Sequence, residues 1–80
     1  MSKREKLIEK LRNNPNNMKF ETIQELLLYF DFEQRQPSGG SSHYSFIYNN
    51  TVIITIPKHK PVKKVYIKRV LEVLEESGLI

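Results

Sequence analysis

One stretch of the chain decides its fold: residues 43–56, which read HYSFIYNNTVIITI. β-Branched and aromatic residues dominate both halves of this stretch, and that composition is typical of strands. The tandem Asn49-Asn50 in the middle predicts a tight turn, because asparagine tolerates a positive φ better than most residues do. Residues 43–48 and 51–56 are therefore predicted to form a β-hairpin.

Alternation along the first strand of this hairpin sends its side chains to two opposite faces. The more apolar face carries the aromatic residues Tyr44, Phe46 and Tyr48. The other face carries His43, Ser45 and Ile47. We expect Phe46 to lie in the core, so the histidine belongs to the face that points away from it.

Two segments before the hairpin have apolar residues at a spacing near 3.6, which predicts amphipathic helices. The first covers residues 3–12, and Ser2 with Glu5 forms a capping-box pattern at its start. The asparagine- and proline-rich run 13–17 ends that helix. The second helix is predicted over residues 19–30.

Asp31 follows the second helix at the position where helix ends favour glycine, and aspartate can adopt the left-handed conformation there at some cost. Residues 32–36 alternate weakly and are predicted to form a further strand. The run PSGGSS at 37–42 separates that strand from the hairpin. After the hairpin, residues 57–61 form a basic connection.

The last helix has the clearest pattern, with apolar residues at i, i+3, i+4 and i+7 over 65–76. Ser77-Gly78-Leu79 resembles a Schellman ending, in which glycine takes the left-handed position. The predicted order is α-α-β-β-β-α. The fold class is α+β: a three-stranded antiparallel sheet has helices packed on one face, and its other face stays accessible.

Length and composition predict one small domain over residues 1–80, with its core at about 18–79 and an additional N-terminal helix. The absence of cysteine excludes disulfides, thiolate nucleophiles and cysteine-based zinc sites. With only two histidines, we expect no metal and no cofactor. No apolar run approaches the roughly 20 residues that cross a bilayer, so we expect a cytoplasmic protein that does not bind membranes.

Positive charge is concentrated between residues 58 and 69, where no acidic residue interrupts it. The basic residues of this segment are Lys58, Lys60, Lys63, Lys64, Lys68 and Arg69. They could simply form a solvated face in a lysine-rich chain. We favour the other interpretation, in which cations at the start of a helix bind a phosphate backbone.

Gly40, Ser41 and Ser42 precede the histidine at position 43. One interpretation is a flexible connection between strands. The other is a phosphate-binding backbone, since glycine lets a phosphate approach the main chain without a Cβ in the way. Both interpretations fit the sequence, and in the second these three residues are candidate RNA contacts.

Six short sequence motifs occur in order along the chain. They are Met18-Lys19-Phe20-Glu21, Leu26-Leu27, Phe32, Gly40-Ser41-Ser42-His43, Thr55-Ile56-Pro57 and Val70-Leu71. This set covers about residues 5–79 and resembles the HicA toxins of type II toxin-antitoxin systems. Its most specific element is the glycine-serine-histidine run.

The resemblance implies a fold similar to the double-stranded RNA-binding domain, with one face of the sheet turned to RNA. It also implies metal-independent cleavage of mRNA and a HicB-type antitoxin that binds the toxin and blocks the histidine. The catalytic position carries over to His43 alone, because this chain has Tyr44 where many members carry a second histidine.

The chemistry of the histidine agrees with that role. Cleaving RNA without a metal needs one group that takes the proton of the 2′-hydroxyl and another that protonates the leaving oxygen. An unperturbed histidine titrates near 6.5 and can do either at neutral pH. Tyr44, Lys58, His59 or a water are candidates for the second group.

Two other function classes are consistent with the same residues. A non-catalytic module could bind RNA or DNA through the lysines and leave it intact. A small interaction domain could instead use a sheet edge or a helix to bind a protein.

Overall fold

Three helices and a three-stranded antiparallel sheet form the fold in the computed structural model, which describes residues 2–36 and 43–80. The helices are α1 (Lys3–Asn13), α2 (Phe20–Tyr29) and α3 (Lys64–Glu76). The strands are β1 (Glu33–Arg35), β2 (His43–Tyr48) and β3 (Val52–Pro57), in the sheet order β1-β2-β3. The predicted α-α-β-β-β-α order and the α+β class are confirmed. Within the described ranges, no helix is long and apolar enough to span a membrane.

The hairpin loop is one residue longer than a two-residue turn, and that residue determines which side chains share a face. Tyr48 pairs with Val52, so Thr51 belongs to the loop and not to the strand predicted for it. Asn49 and Asn50 both take positive φ angles, 53° and 58°, as expected. The amide of Thr51 then donates to the carbonyl of Tyr48 over 3.1 Å and closes the loop. In this register the side chains opposite the aromatic residues are apolar.

The helices cover the aromatic face of the sheet. Phe46 is fully buried there, with Ile54 and Ile56 of β3 beside it. The ring of Phe20, in α2, lies 5.2 Å from the ring of Tyr44 and 6.3 Å from that of Phe46, between ring centroids. The core is therefore one layer between the sheet and the helices, and the opposite face of the sheet is left open.

The helix α1 belongs to the same core. Its apolar stripe, Leu7, Ile8 and Leu11, is buried in the same cluster as the sheet residues. Ser2 caps the helix, since its hydroxyl accepts a bond from the amide of Glu5 over 3.2 Å, as the sequence predicts. Lys3 reaches Glu25 of α2 at 2.7 Å. Its hydrogen bonds to the carboxylate of Glu25 and to Tyr29 raise the pKa of Lys3 above its ordinary value.

Two helices end in the same way. Gly78 follows α3 with a φ of 72°, and its neighbour Leu79 donates from its amide to the carbonyl of Leu74 over 2.9 Å. Asp31 follows α2 with a φ of 66°, and the amide of Phe32 makes the equivalent bond to Leu27. Both are Schellman endings. The ending after α3 was predicted from the sequence. The left-handed conformation of Asp31 was expected too, although it is less favourable for aspartate than for glycine.

One hydrogen bond brings the starts of α2 and α3 together. The amide of Val62 donates to the carbonyl of Met18 over 2.8 Å in an isolated antiparallel bridge, and both side chains are buried. Each helix begins two residues after its bridged residue, at Phe20 and Lys64. The N-termini of the two helices therefore lie at the same end of the molecule.

Candidate nucleic-acid interface

His43 begins β2 and is exposed on the open face of the sheet. It lies directly opposite Pro57, the last residue of β3, so it stands where β3 runs into the basic connection. The alternation that buries Phe46 under the helices turns His43 away from them. The predicted catalytic side chain thus lies on the face of the sheet that the helices leave uncovered.

A polar row crosses all three strands next to the histidine. Ser45 is the centre of this row, with Arg35 of β1 on one side and Thr55 of β3 on the other. The Ser45 and Thr55 hydroxyl oxygens lie 3.3 Å apart. Because directly opposed residues project to the same face, this row shares the open face with His43.

Arg35 is exposed, and its partner Glu33 lies on the same short strand. The guanidinium Nε is 3.7 Å from the Glu33 carboxylate, and more than half of each side chain is exposed. Such a pair contributes little to stability, because water and salt screen it. The sequence alone did not indicate Arg35, Ser45 or Thr55 as site residues. The weak alternation of residues 32–36 predicted a strand, but only the pairing with Ser45 places the arginine beside the histidine.

The basic connection after β3 is fixed at its far end. Lys58 and Lys60 are exposed, and the buried Val62 anchors the segment to Met18. The Lys58 Nζ lies 6.0 Å from the centre of the Phe20 ring, so this lysine leans toward the start of α2. Lys58 therefore contributes to the basic end of the molecule rather than to the open face of the sheet.

The remaining predicted cations lie on α3 and divide between its two flanks. Lys63 is the N-cap and Lys64 the first helical residue, and both are exposed. Successive residues of a helix differ by about 100°, so Lys68 stays on the flank of Lys64 while Arg69 turns away from it. Arg69 pairs with Glu72 and lines a depression beside β3. The structure thus groups the lysines at the start of α3 with the connection, but it does not group Arg69 with them.

Charge is distributed unevenly between the two ends of the molecule. The end where α2 and α3 begin carries the lysines of the connection, the α3 N-cap and Lys19, the N-cap of α2. Neither of these N-cap residues makes a side-chain capping bond. The other end, where α3 finishes, carries Glu72, Glu75 and Glu76, of which the first two pair with Arg69 and Arg12. A polyanion is therefore attracted to the end that also holds the histidine.

The candidates for a second proton-transfer group do not all lie on the same side of the sheet as His43. Tyr44 points into the aromatic face, where its ring packs on Phe20, and so lies on the side of β2 opposite to His43. Lys58 leans the same way. His59 is exposed in the connection, and its amide donates to the Pro57 carbonyl over 2.9 Å. Gly40, Ser41 and Ser42 lie outside the described residues.

Comparisons of the chain with protein families, with curated proteins and with solved structures find no match. Among the residues of 2–36 and 43–80, no group of three histidine, aspartate or glutamate side chains could hold a metal ion. The function is therefore inferred from the residues of this chain and their arrangement.

Proposed function

We propose that the protein is an endoribonuclease that cleaves mRNA without a metal, with His43 as the general acid or base. In this proposal the chain is the toxin of a toxin-antitoxin system and acts in the cytoplasm. Its fold binds RNA through one face of the sheet, as in the double-stranded RNA-binding domain. A HicB-type antitoxin neutralises the toxin by covering the histidine. One observation carries the proposal: His43 is exposed on the open face of the sheet, at the basic end of the molecule.

The reaction proceeds through two proton transfers. A base removes the proton of a ribose 2′-hydroxyl, and the resulting oxygen attacks the neighbouring phosphorus. The bond to the 5′-oxygen breaks, and that oxygen takes a proton, leaving a 2′,3′-cyclic phosphate and a 5′-hydroxyl. Histidine can supply either proton transfer, and a positioned acid or base is worth about 10²–10⁴-fold in rate.

The electrostatic setting supports binding of the substrate. Lys58 directly follows Pro57, the partner of His43 at the end of β3, and Lys60, Lys63 and Lys64 follow along the connection into α3. Lysines of this kind bind the backbone by charge and release counterions, without reading base sequence. A single histidine with a diffuse basic surface supports a slow nuclease of broad preference, which is sufficient for a toxin with an abundant substrate.

The chain's second histidine, His59, is also exposed and is a candidate for the second proton-transfer group, so the test includes it. We would compare the wild type, His43→Ala and His59→Ala on a short RNA in the presence of a chelator. A second RNA would carry a single 2′-deoxy residue at the cleaved position. We expect cleavage by the wild type, a loss of about 10²-fold or more in His43→Ala, and no cut at the deoxy position. A comparable loss in His59→Ala would identify His59 as the second proton-transfer group, and cleavage at the wild-type rate would exclude it from that role.

Growth of cells that express each variant gives the second readout. Arrest by the wild type, with normal growth in His43→Ala, is the expected pattern, and co-expression of the antitoxin should relieve the arrest. A His43→Ala protein that folds and still cleaves at the wild-type rate would overturn the proposal.

A second candidate function is a non-catalytic RNA-binding module. The position of Lys63 and Lys64 favours it, because they are exposed at the start of α3 and need no histidine to bind a backbone. Intact RNA, together with binding that weakens steeply as salt rises, would select this function. Absence of any RNA binding would leave the protein-interaction domain.

A further inference from the structure

We infer that Arg35, together with the Ser45 and Thr55 hydroxyl groups, binds the scissile phosphate beside His43. The inference deepens the proposed function, on which it rests, because it names the residues that stabilise the reacting phosphate. It is carried by the cross-strand row Arg35–Ser45–Thr55, which the register places next to His43 on the open face.

The spacing of the row suits a phosphate. Ser45 follows His43 by two residues on one strand, which corresponds to about 7 Å between them along the face. Arg35 is the direct partner of Ser45 and hence the diagonal neighbour of His43. Diagonal neighbours lie about 7–8 Å apart and are within reach of long side chains. A phosphate between them can meet the imidazole on one side and the guanidinium on the other.

The groups in the row have complementary chemistry. Arginine offers a planar fork of N–H donors that matches two oxygens of a phosphate, and it does not lose its proton in proteins. The hydroxyls of Ser45 and Thr55 lie 3.3 Å apart, so one of them can donate to the other, and the hydroxyl that accepts can donate its own proton outward. The row therefore supplies charge and donors, and the proton transfers remain with His43 and a second group.

Arg35 is available for this role because its present partner holds it weakly. The distance to the Glu33 carboxylate is 3.7 Å in an exposed pair, which a phosphate with two short, charge-assisted bonds can replace. When the 2′-oxygen attacks, negative charge builds on the two non-bridging oxygens. A cation fixed beside them stabilises that transition state more than the ground state.

The chain provides a matched control for removing this charge. Arg12 is 53% exposed and pairs with Glu75 at 3.5 Å, while Arg35 is 58% exposed and pairs with Glu33 at 3.7 Å. Arg12 lies on α1, which packs on the helical side of the sheet. Arg35→Gln and Arg12→Gln thus remove the same charge from similar surroundings on opposite faces.

The experiment measures single-turnover cleavage at saturating RNA, and binding of a non-cleavable 2′-deoxy analogue at two salt concentrations. Removing one donor to a developing oxyanion costs about 10²–10³-fold in rate, and we expect a loss of that order for Arg35→Gln. Binding of the analogue should weaken only a few-fold, with a shallower salt dependence. Arg35→Lys should recover part of the rate, and Arg12→Gln should match the wild type.

Glu33→Gln gives a test in the opposite direction. It removes the carboxylate that competes with a phosphate for Arg35, so the analogue should bind more tightly than to the wild type. Unchanged or weaker binding would count against the inference. Thermal unfolding of every variant separates these effects from damage to the fold.

Failure of this inference can be told from failure of the proposed function. If the wild type cleaves and His43→Ala does not, while Arg35→Gln keeps the wild-type rate, the inference alone is overturned. If the wild type leaves RNA intact, the proposed function fails. The salt dependence of analogue binding still decides the phosphate site: an unchanged slope in Arg35→Gln refutes it, and a shallower one supports it.

Discussion

Replacing both Lys63 and Lys64 with glutamine should weaken RNA binding while leaving the fold at least as stable. These residues are the N-cap and the first residue of α3, where no acidic side chain forms an ion pair with them among the described residues. Positive charge at the start of a helix opposes the helix dipole. Removing it should raise the free energy of unfolding by about 0.3–1 kcal/mol per residue.

The size of the binding loss follows from counterion release. Each phosphate neutralised on a single strand contributes about 0.7 to the slope of log K against log salt. Two lost contacts should therefore flatten the slope by about 1.4, and extrapolation from 1 M to 0.1 M salt gives a loss of roughly 25-fold in affinity. A loss on this scale cannot come from unfolding if the melting temperature stays level or rises.

The measurement is fluorescence anisotropy with a labelled RNA over a series of salt concentrations. Lys6→Gln/Lys10→Gln is the matched control, because it removes two exposed lysines from α1, which packs near the opposite ends of the other helices. Arg69→Gln should also change little, since Arg69 is paired with Glu72 on the other flank of α3. An equal loss in all three variants would refute the reasoning, because it would mean that total charge, not its position, drives binding.

The helix ends and one ion pair give further predictions. Gly78→Ala should destabilise the fold by about 1 kcal/mol. The cost comes from the φ of 72°, which disfavours any residue with a Cβ, and not from a clash, because an added Cβ meets nothing within 4 Å. Asp31→Gly, at the equivalent position after α2, should stabilise the fold by about 0.5 kcal/mol. Chemical denaturation measures the stability of both variants. A change of the same sign in the two would contradict this reasoning. The bond to Glu25 raises the pKa of Lys3 above its ordinary 10.5, so the stability it adds is fully present below pH 10.5 and is lost as pH rises through the folded value. Stability curves of the wild type and Lys3→Gln should therefore converge in strong alkali, and curves that stay parallel would show that the contact contributes nothing.

The fold was largely readable from the sequence because each element carries its own local signal. The apolar spacing of α3, the asparagines of the hairpin loop and the glycine after α3 are requirements of short segments, and the chain meets them locally. Thr51 was misplaced because loop length depends on a single amide bond back to Tyr48. A pattern of alternating residues does not reveal that bond.

The site was less readable, since it depends on residues that are distant in the chain. His43 could be singled out from its type and its neighbours. Arg35 could not, because its place beside the histidine comes from the pairing of β1 with β2. The run of basic residues was equally misleading in one respect, since helical geometry separates Arg69 from Lys64 and Lys68 although they are close in sequence.

The bridge between Met18 and Val62 has a consequence for how the molecule would approach a polyanion. It brings the starts of α2 and α3 together, so the positive ends of both helix dipoles lie at the same end of the molecule. The lysines at that end add to the positive potential there. A molecule with charge distributed in this way rotates in the field of a polyanion before contact, and the basic end arrives first. The molecule therefore spends less time reorienting before it binds. This effect is largest at low ionic strength, where charges are screened least.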